Sequence, residues 1–187
     1  MTLTAAVLDT STLQALHRAG VLEEVRKLYP DGLSIPQSVE RQTRAAFPQF
    51  GAAKVPDIDA LGWLSVRAVS SADADPYRAR QPGQPLRGKS ESISQGLTCC
   101  GYAIDSEEFD VVVLAKKINA VAILDDHRGL KCAQNLGVAS QTTRDVLASL
   151  SSGGLVGDVD SLVRRIEATG YMPTLRVTKP PVPPRKK

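Results

Sequence analysis

Two acids in this chain follow short apolar runs. Residues 5–8 read AAVL and lead to Asp9; residues 121–124 read VAIL and lead to Asp125. An apolar run of this length, bounded by polar residues, reads as a buried strand. If the two strands are neighbours, both carboxylates enter one crevice. Crowded or buried carboxylates raise each other's proton affinity. A divalent cation relieves that cost, and hard oxygen ligands suit Mg²⁺ and Mn²⁺. A metal held there would polarise a phosphodiester and lower the pKa of a bound water. The residues do not choose between one metal and two.

The elements that must carry these acids alternate. After Asp9-Thr10-Ser11, which have strand-end and helix-cap chemistry, Leu13 and Leu16 begin a helical pattern stopped by Gly20. A second helix, VLEEVRKLY, runs to Pro30. LSI at 33–35 is a second short strand. Pro36 stands at the start of the helix QSVERQTRAAF. A third strand is expected within 61–69. From 70 to 89 the periodicity is lost and prolines and basic residues gather, as in an exposed insertion reaching to about 104. A helix is the weaker expectation for 90–104. Residues 106–118, SEEFDVVVLAKKI, start acidic and end basic, which suits a helix dipole. Helices RGLKCAQNLG, TTRDVLASLSSGG and DVDSLVRRIEATG follow the strand at 121–124, with a short strand VAS before the last two. No internal repeat is present. The expected class is α/β: three layers, α/β/α, around a central, mainly parallel sheet. Ligands in such sheets bind beyond the carboxyl ends of the strands, where strand order reverses.

At 187 residues the chain is most simply one domain, with a core that is aliphatic because aromatics are 4%. Its expected extent is 1–175, followed by a tail at 176–187 too Pro-rich and polar to pack. The net charge of +3 divides unevenly: the tail carries five basic residues and no acid, leaving about −2 for the rest. No run approaches a membrane span and the start lacks signal-peptide character, so a cytoplasmic protein without membrane contact is expected. Cys99, Cys100 and Cys132 make a poor disulfide framework and read as packing thiols in a reducing cytosol. With His17 and His127 far apart, a structural zinc site is not expected.

The ordered motifs resemble the PIN-domain nucleases. VLDTSTLQAL is similar to the family's opening motif, with an Asp at the end of the first strand. IPQSVERQ resembles the second, with Glu40 on its helix. EEFDVVVLAKKINAVAILDDHRGLKCAQNLGV resembles the third and fourth run together, placing Asp110 and Asp125. Gln-Thr-Thr at 141–143 is similar to the family's terminal turn. The likeness covers about 1–50 and 105–172. It implies a ribonuclease of the kind found as toxins of toxin–antitoxin pairs. Asp9, Glu40, Asp110 and Asp125 would be catalytic, and Asp9, Asp110 and Asp125 would ligate Mg²⁺ or Mn²⁺. Thr10, Ser11, Glu107, Asp126 and Thr143 would support them. The implied partners are an RNA substrate, an antitoxin protein and a second copy in a homodimer, though no exposed apolar stripe suggests an interface. The third motif departs from the family's Gly-Glu-x-Glu: 106–110 reads Ser-Glu-Glu-Phe-Asp, so Glu107 competes with Asp110. Glu91 is held in reserve, because 34 residues separate it from Asp125.

Each residue also has a plainer reading. Asp9 is a good helix cap, and Asp125-Asp126 a good polar turn. Acids at a helix start serve its dipole. Glu40 is compatible with plain surface, and His127 with an exposed loop. Arg87, Lys89, Arg128 and Lys131 are placed to contact nucleic-acid phosphates or simply to be solvated. Two other functions fit the class. A phosphoacceptor receiver would need an acidic pair after its first strand, and Asp9 is followed by Thr10. A non-catalytic module would use the basic insertion or tail for binding.

Overall fold

The computed structural model describes residues 4–77, 98–99 and 102–170. Arg87, Lys89, Glu91 and the tail lie outside them. Four apolar residues, Ala5–Leu8 (β1), form the central strand. Gly32–Pro36 (β2) and Ser65–Arg67 (β3) extend the sheet on one side, Val121–Ile123 (β6) and Ser140–Gln141 (β7) on the other. The order is β3-β2-β1-β6-β7, and every pairing is parallel. Ala6, Val7, Leu8, Ala122 and Ile123 are fully buried. Such strands are apolar throughout because helices cover both faces.

One helix layer is built on Ser106–Ile118 (α5), which lies across β1 and β2. Gln37–Phe50 (α3), Ser71–Ala74 (α4) and His127–Asn135 (α6) pack beside it. Phe109, Val111, Val112, Val113, Leu114 and Ala115 of α5 are all buried, as expected for a helix enclosed on several sides. The second layer comprises Thr10–Ala19 (α1), Leu22–Leu28 (α2), Thr143–Ser152 (α7) and Val159–Ala168 (α8), which pack on one another. The α/β class and the parallel central sheet therefore hold.

Local chemistry sets the element ends. Gly20 closes α1 at φ 70°, a left-handed position that costs a residue with Cβ more than glycine. Thr142 and Asp145 form a reciprocal capping box at α7. Several expectations need correction. The third strand does lie within 61–69, but it occupies only three residues, all exposed, as suits a sheet edge. The strand expected at VAS lies later, at β7, with Val138 turned into the core. No helix covers the end of 90–104: Thr98–Cys99 (β4) pairs antiparallel with Tyr102–Ala103 (β5). Thr and Tyr favour extended backbone, and the intervening Gly101 disfavours helix. The start of the expected insertion is a capped helical turn, with Asp73 receiving Lys117 of α5 at 2.9 Å. Cys132 is buried and disulfide-bonded, not a free packing thiol. Cys99 and Cys100 are the chain's other cysteines.

Candidate active site

Strand order reverses between β1 and β6: the chain moves outwards through β2 and β3 on one side and through β7 on the other. Asp9 leaves β1 at this point, and its N–H donates to Ile123 O of β6 at 3.3 Å. Asp125 follows β6 at the same end of the sheet.

Asp9 caps α1 and is only 5% exposed. Its Oδ1 accepts from the Thr12 N–H at 2.6 Å and its Oδ2 from the Ser11 hydroxyl at 2.7 Å. Those bonds favour the charged form, but burial outweighs them. The pKa is pushed up to about 6, with a smaller contribution from Asp125. Asp125 is held by a single residue of α7. Thr143 donates its N–H to Oδ1 at 2.8 Å and its hydroxyl to Oδ2 at 2.6 Å. Burial again raises the pKa against these bonds. Thr12 and Thr143 are fully buried, and their hydroxyl oxygens lie 3.3 Å apart. One hydroxyl contact thus joins the supports of the two carboxylates.

Glu108, half-buried on α5, is the third acid in this neighbourhood. Burial first, then repulsion from Asp126, Asp105 and Asp9, pushes its pKa up to about 8, with Arg128 opposing. Sequence reasoning passed over Glu108, although the signal was present. Starting the Gly-Glu-x-Glu pattern at Glu107 instead of Ser106 places Glu108 on the first acid and Asp110 on the second. A cleft of about 240 Å³ opens here, lined by Asp9, Thr10, Ser11, Gln14, Gln42, Asp105, Glu107 and Glu108. Asp105 and the two glutamines also went unnamed in the sequence reading.

The other expected residues are placed as follows. Asp110 accepts from the Ser38 hydroxyl at 2.7 Å, at the junction of α5 and α3. Glu40 accepts from Arg44 at 2.9 Å, and Arg44 also grips Asp59 through two bonds of 2.8 and 2.7 Å. Glu107 lines the cleft and accepts from Ser106 at 2.9 Å. The Thr10 hydroxyl donates to Gln42 Oε1. Asp126 caps α6 by accepting from the Arg128 N–H at 2.7 Å. Arg128 and His127 are exposed, and Lys131 reaches Gln134 along its own helix at 2.9 Å. Asp9, Asp125 and Glu108 thus share one region, while Glu40 and Asp110 have partners along α3.

The donor set suits a hard divalent cation: all oxygen, anionic, and raised in proton affinity by burial and repulsion. Among the described residues no three His, Cys, Asp or Glu side chains already stand close enough to hold one. Asp9, Asp125 and Glu108 would therefore have to draw together on binding.

No protein-family model and no curated protein matches this sequence. Among solved structures, the chain is similar to a PilT N-terminus domain protein from the hyperthermophilic archaeon Sulfolobus solfataricus P2. The identity is 18%, the TM-score 0.47, and the match covers 78% of this chain and 92% of the other. Among the described residues no helix is long and apolar enough to cross a membrane.

Proposed function

We propose that this protein is a metal-dependent endoribonuclease that hydrolyses RNA phosphodiester bonds. The observation that carries this reading is the pair Asp9 and Asp125. Both are raised in pKa by burial, and they leave adjacent parallel strands where strand order reverses. Structure alone gives little reason to desolvate two acids there, since an exposed polar residue would cap α1 as well. Bound Mg²⁺ or Mn²⁺ would supply Lewis acidity and a water deprotonated near neutral pH. Asp9, Asp125 and Glu108 would hold the cation, and Ser11, Thr12 and Thr143 orient the first two carboxylates. Burial and the neighbouring acids push the Glu108 pKa up to about 8, and a cation held there would favour the charged carboxylate. Arg128 stands near Glu108 as a phosphate contact. RNA as the substrate rests on the PIN-like motif order. So do the toxin role, an antitoxin partner covering the acidic cleft, and a homodimer.

A non-catalytic binding module is the second reading, favoured by the absence of a ready-made three-residue metal group among the described residues. Substitution separates the two. Glu108→Gln is expected to lower Mn²⁺-dependent cleavage of single-stranded RNA by about a hundredfold or more, the scale of losing one precise electrostatic contact. Glu40→Gln, whose partner is Arg44, is expected to keep most activity. Full activity in Glu108→Gln would remove that residue from the site. RNA binding without cleavage by the unsubstituted protein, unchanged by metal, would favour the module.

A further inference from the structure

A phosphodiester is an anion, and the cleft that would receive it is lined by four carboxylates. Its walls are unequal, however. Asp9, Asp105, Glu107 and Glu108 make the acidic side, while α1 and α3 contribute Thr10, Ser11, Gln14 and Gln42. No Lys or Arg is among these lining residues. A cationic side chain there would pair with Asp9 or Glu108 and compete with a metal for them. A neutral donor would not.

The hydrogen bonds narrow the choice of donor. The Ser11 hydroxyl donates to Asp9, and the Thr10 hydroxyl donates to Gln42 Oε1. With its carbonyl end committed to Thr10, the Gln42 amide presents Nε2, which only donates. Phosphate oxygens only accept, so the two match. Thr10 takes one lone pair of the carbonyl and holds the amide plane, so the end left without a partner from Thr10 is the donor. We infer that Gln42 is a substrate-binding residue that donates from Nε2 to a non-bridging phosphate oxygen, with Thr10 as the positioning residue that sets the amide's orientation. This inference rests on the nuclease reading above.

The test compares the unsubstituted protein with Gln42→Leu, Gln42→Glu and Thr10→Val in steady-state cleavage of a labelled single-stranded RNA in Mn²⁺. Calorimetric Mn²⁺ titration accompanies each. Gln42 is exposed, so its substitution spares the core. Loss of one hydrogen bond to a charged group predicts a KM raised about tenfold or more in Gln42→Leu. Its kcat and Mn²⁺ affinity stay close to the original. Gln42→Glu raises KM further by repulsion, and Thr10→Val gives a smaller rise. Unchanged KM in both Gln42 variants of a protein that does cleave RNA overturns this inference alone. Reduced Mn²⁺ affinity in Gln42→Leu also overturns it, because Gln42 would then act through the metal site. If the unsubstituted protein cleaves no RNA, the nuclease reading falls and this inference falls with it.

Discussion

A buried carboxylate stores free energy that a proton or a cation can release, and Asp9 is the strongest case here. Its pKa rises from 3.8 to about 6 on folding, chiefly through burial. The folded chain thus binds this proton more tightly than the unfolded chain. The stabilisation is complete below about pH 4 and is lost as pH rises through about 6; it is worth about 3 kcal/mol. The metal-free protein is therefore expected to lose this share of its stability between pH 4 and 7. Added Mn²⁺ is expected to raise the melting temperature more at pH 8 than at pH 5, where protons compete for the same oxygens. Thermal denaturation at both pH values, with and without Mn²⁺, checks this; equal shifts would contradict it. Thr143→Val tests the support of Asp125. It removes the 2.6 Å hydroxyl bond but keeps the backbone N–H bond. The expected outcome is a 10- to 100-fold weaker Mn²⁺ affinity, typical of lost outer support around a metal ligand, read by calorimetry. Asp9 and Asp125 were legible in the sequence because an acid after an apolar run is a pattern along the chain. Glu108 was less so. Which of three acids within four residues of a helix faces a crevice depends on helix phase, and α5 is buried on so many sides that its apolar pattern leaves the phase undetermined.

At the scale of elements, α5 links the core to the site. Phe109, 1% exposed, follows Glu108 directly and is buried in the core. Phe109→Ala is expected to cost about 3–5 kcal/mol by leaving a cavity, measured by urea denaturation. A loss below about 1 kcal/mol would mean that α5 is not packed as described. The main strands and most helices were legible because apolar runs, capping residues and glycine stops coincide there. The edge strands were harder to place. β3 and β7 comprise three and two residues, too few for a periodicity to register, and their positions follow from the neighbours they pair with. The β4–β5 pairing was missed for a similar reason, since two-residue strands owe their form to contact.

For the molecule as a whole, the sheet order could not be read from local pattern, yet it sets which acids lie beside one another. Only the adjacency of β1 and β6 brings Asp9 and Asp125 to the same end of the sheet, side by side. The disulfide at Cys132 is also a property of the assembled fold, because cysteine count and spacing did not suggest one. A native disulfide commonly contributes about 2–4 kcal/mol. Reducing the protein with dithiothreitol is expected to lower its melting temperature by several degrees, as followed by circular dichroism. An unchanged melting temperature would show that the bridge contributes nothing to stability.

The central claim is that the acids at the β1–β6 junction hold a cation and cleave RNA. It is tested most directly by incubating labelled single-stranded RNA with the protein in Mn²⁺, in Mn²⁺ with excess EDTA, and in Mn²⁺ with Asp125→Asn. The expected result is cleavage in the first reaction and none above background in the other two. Cleavage that persists in EDTA or in Asp125→Asn, or no cleavage of any RNA by the unsubstituted protein, would contradict the account.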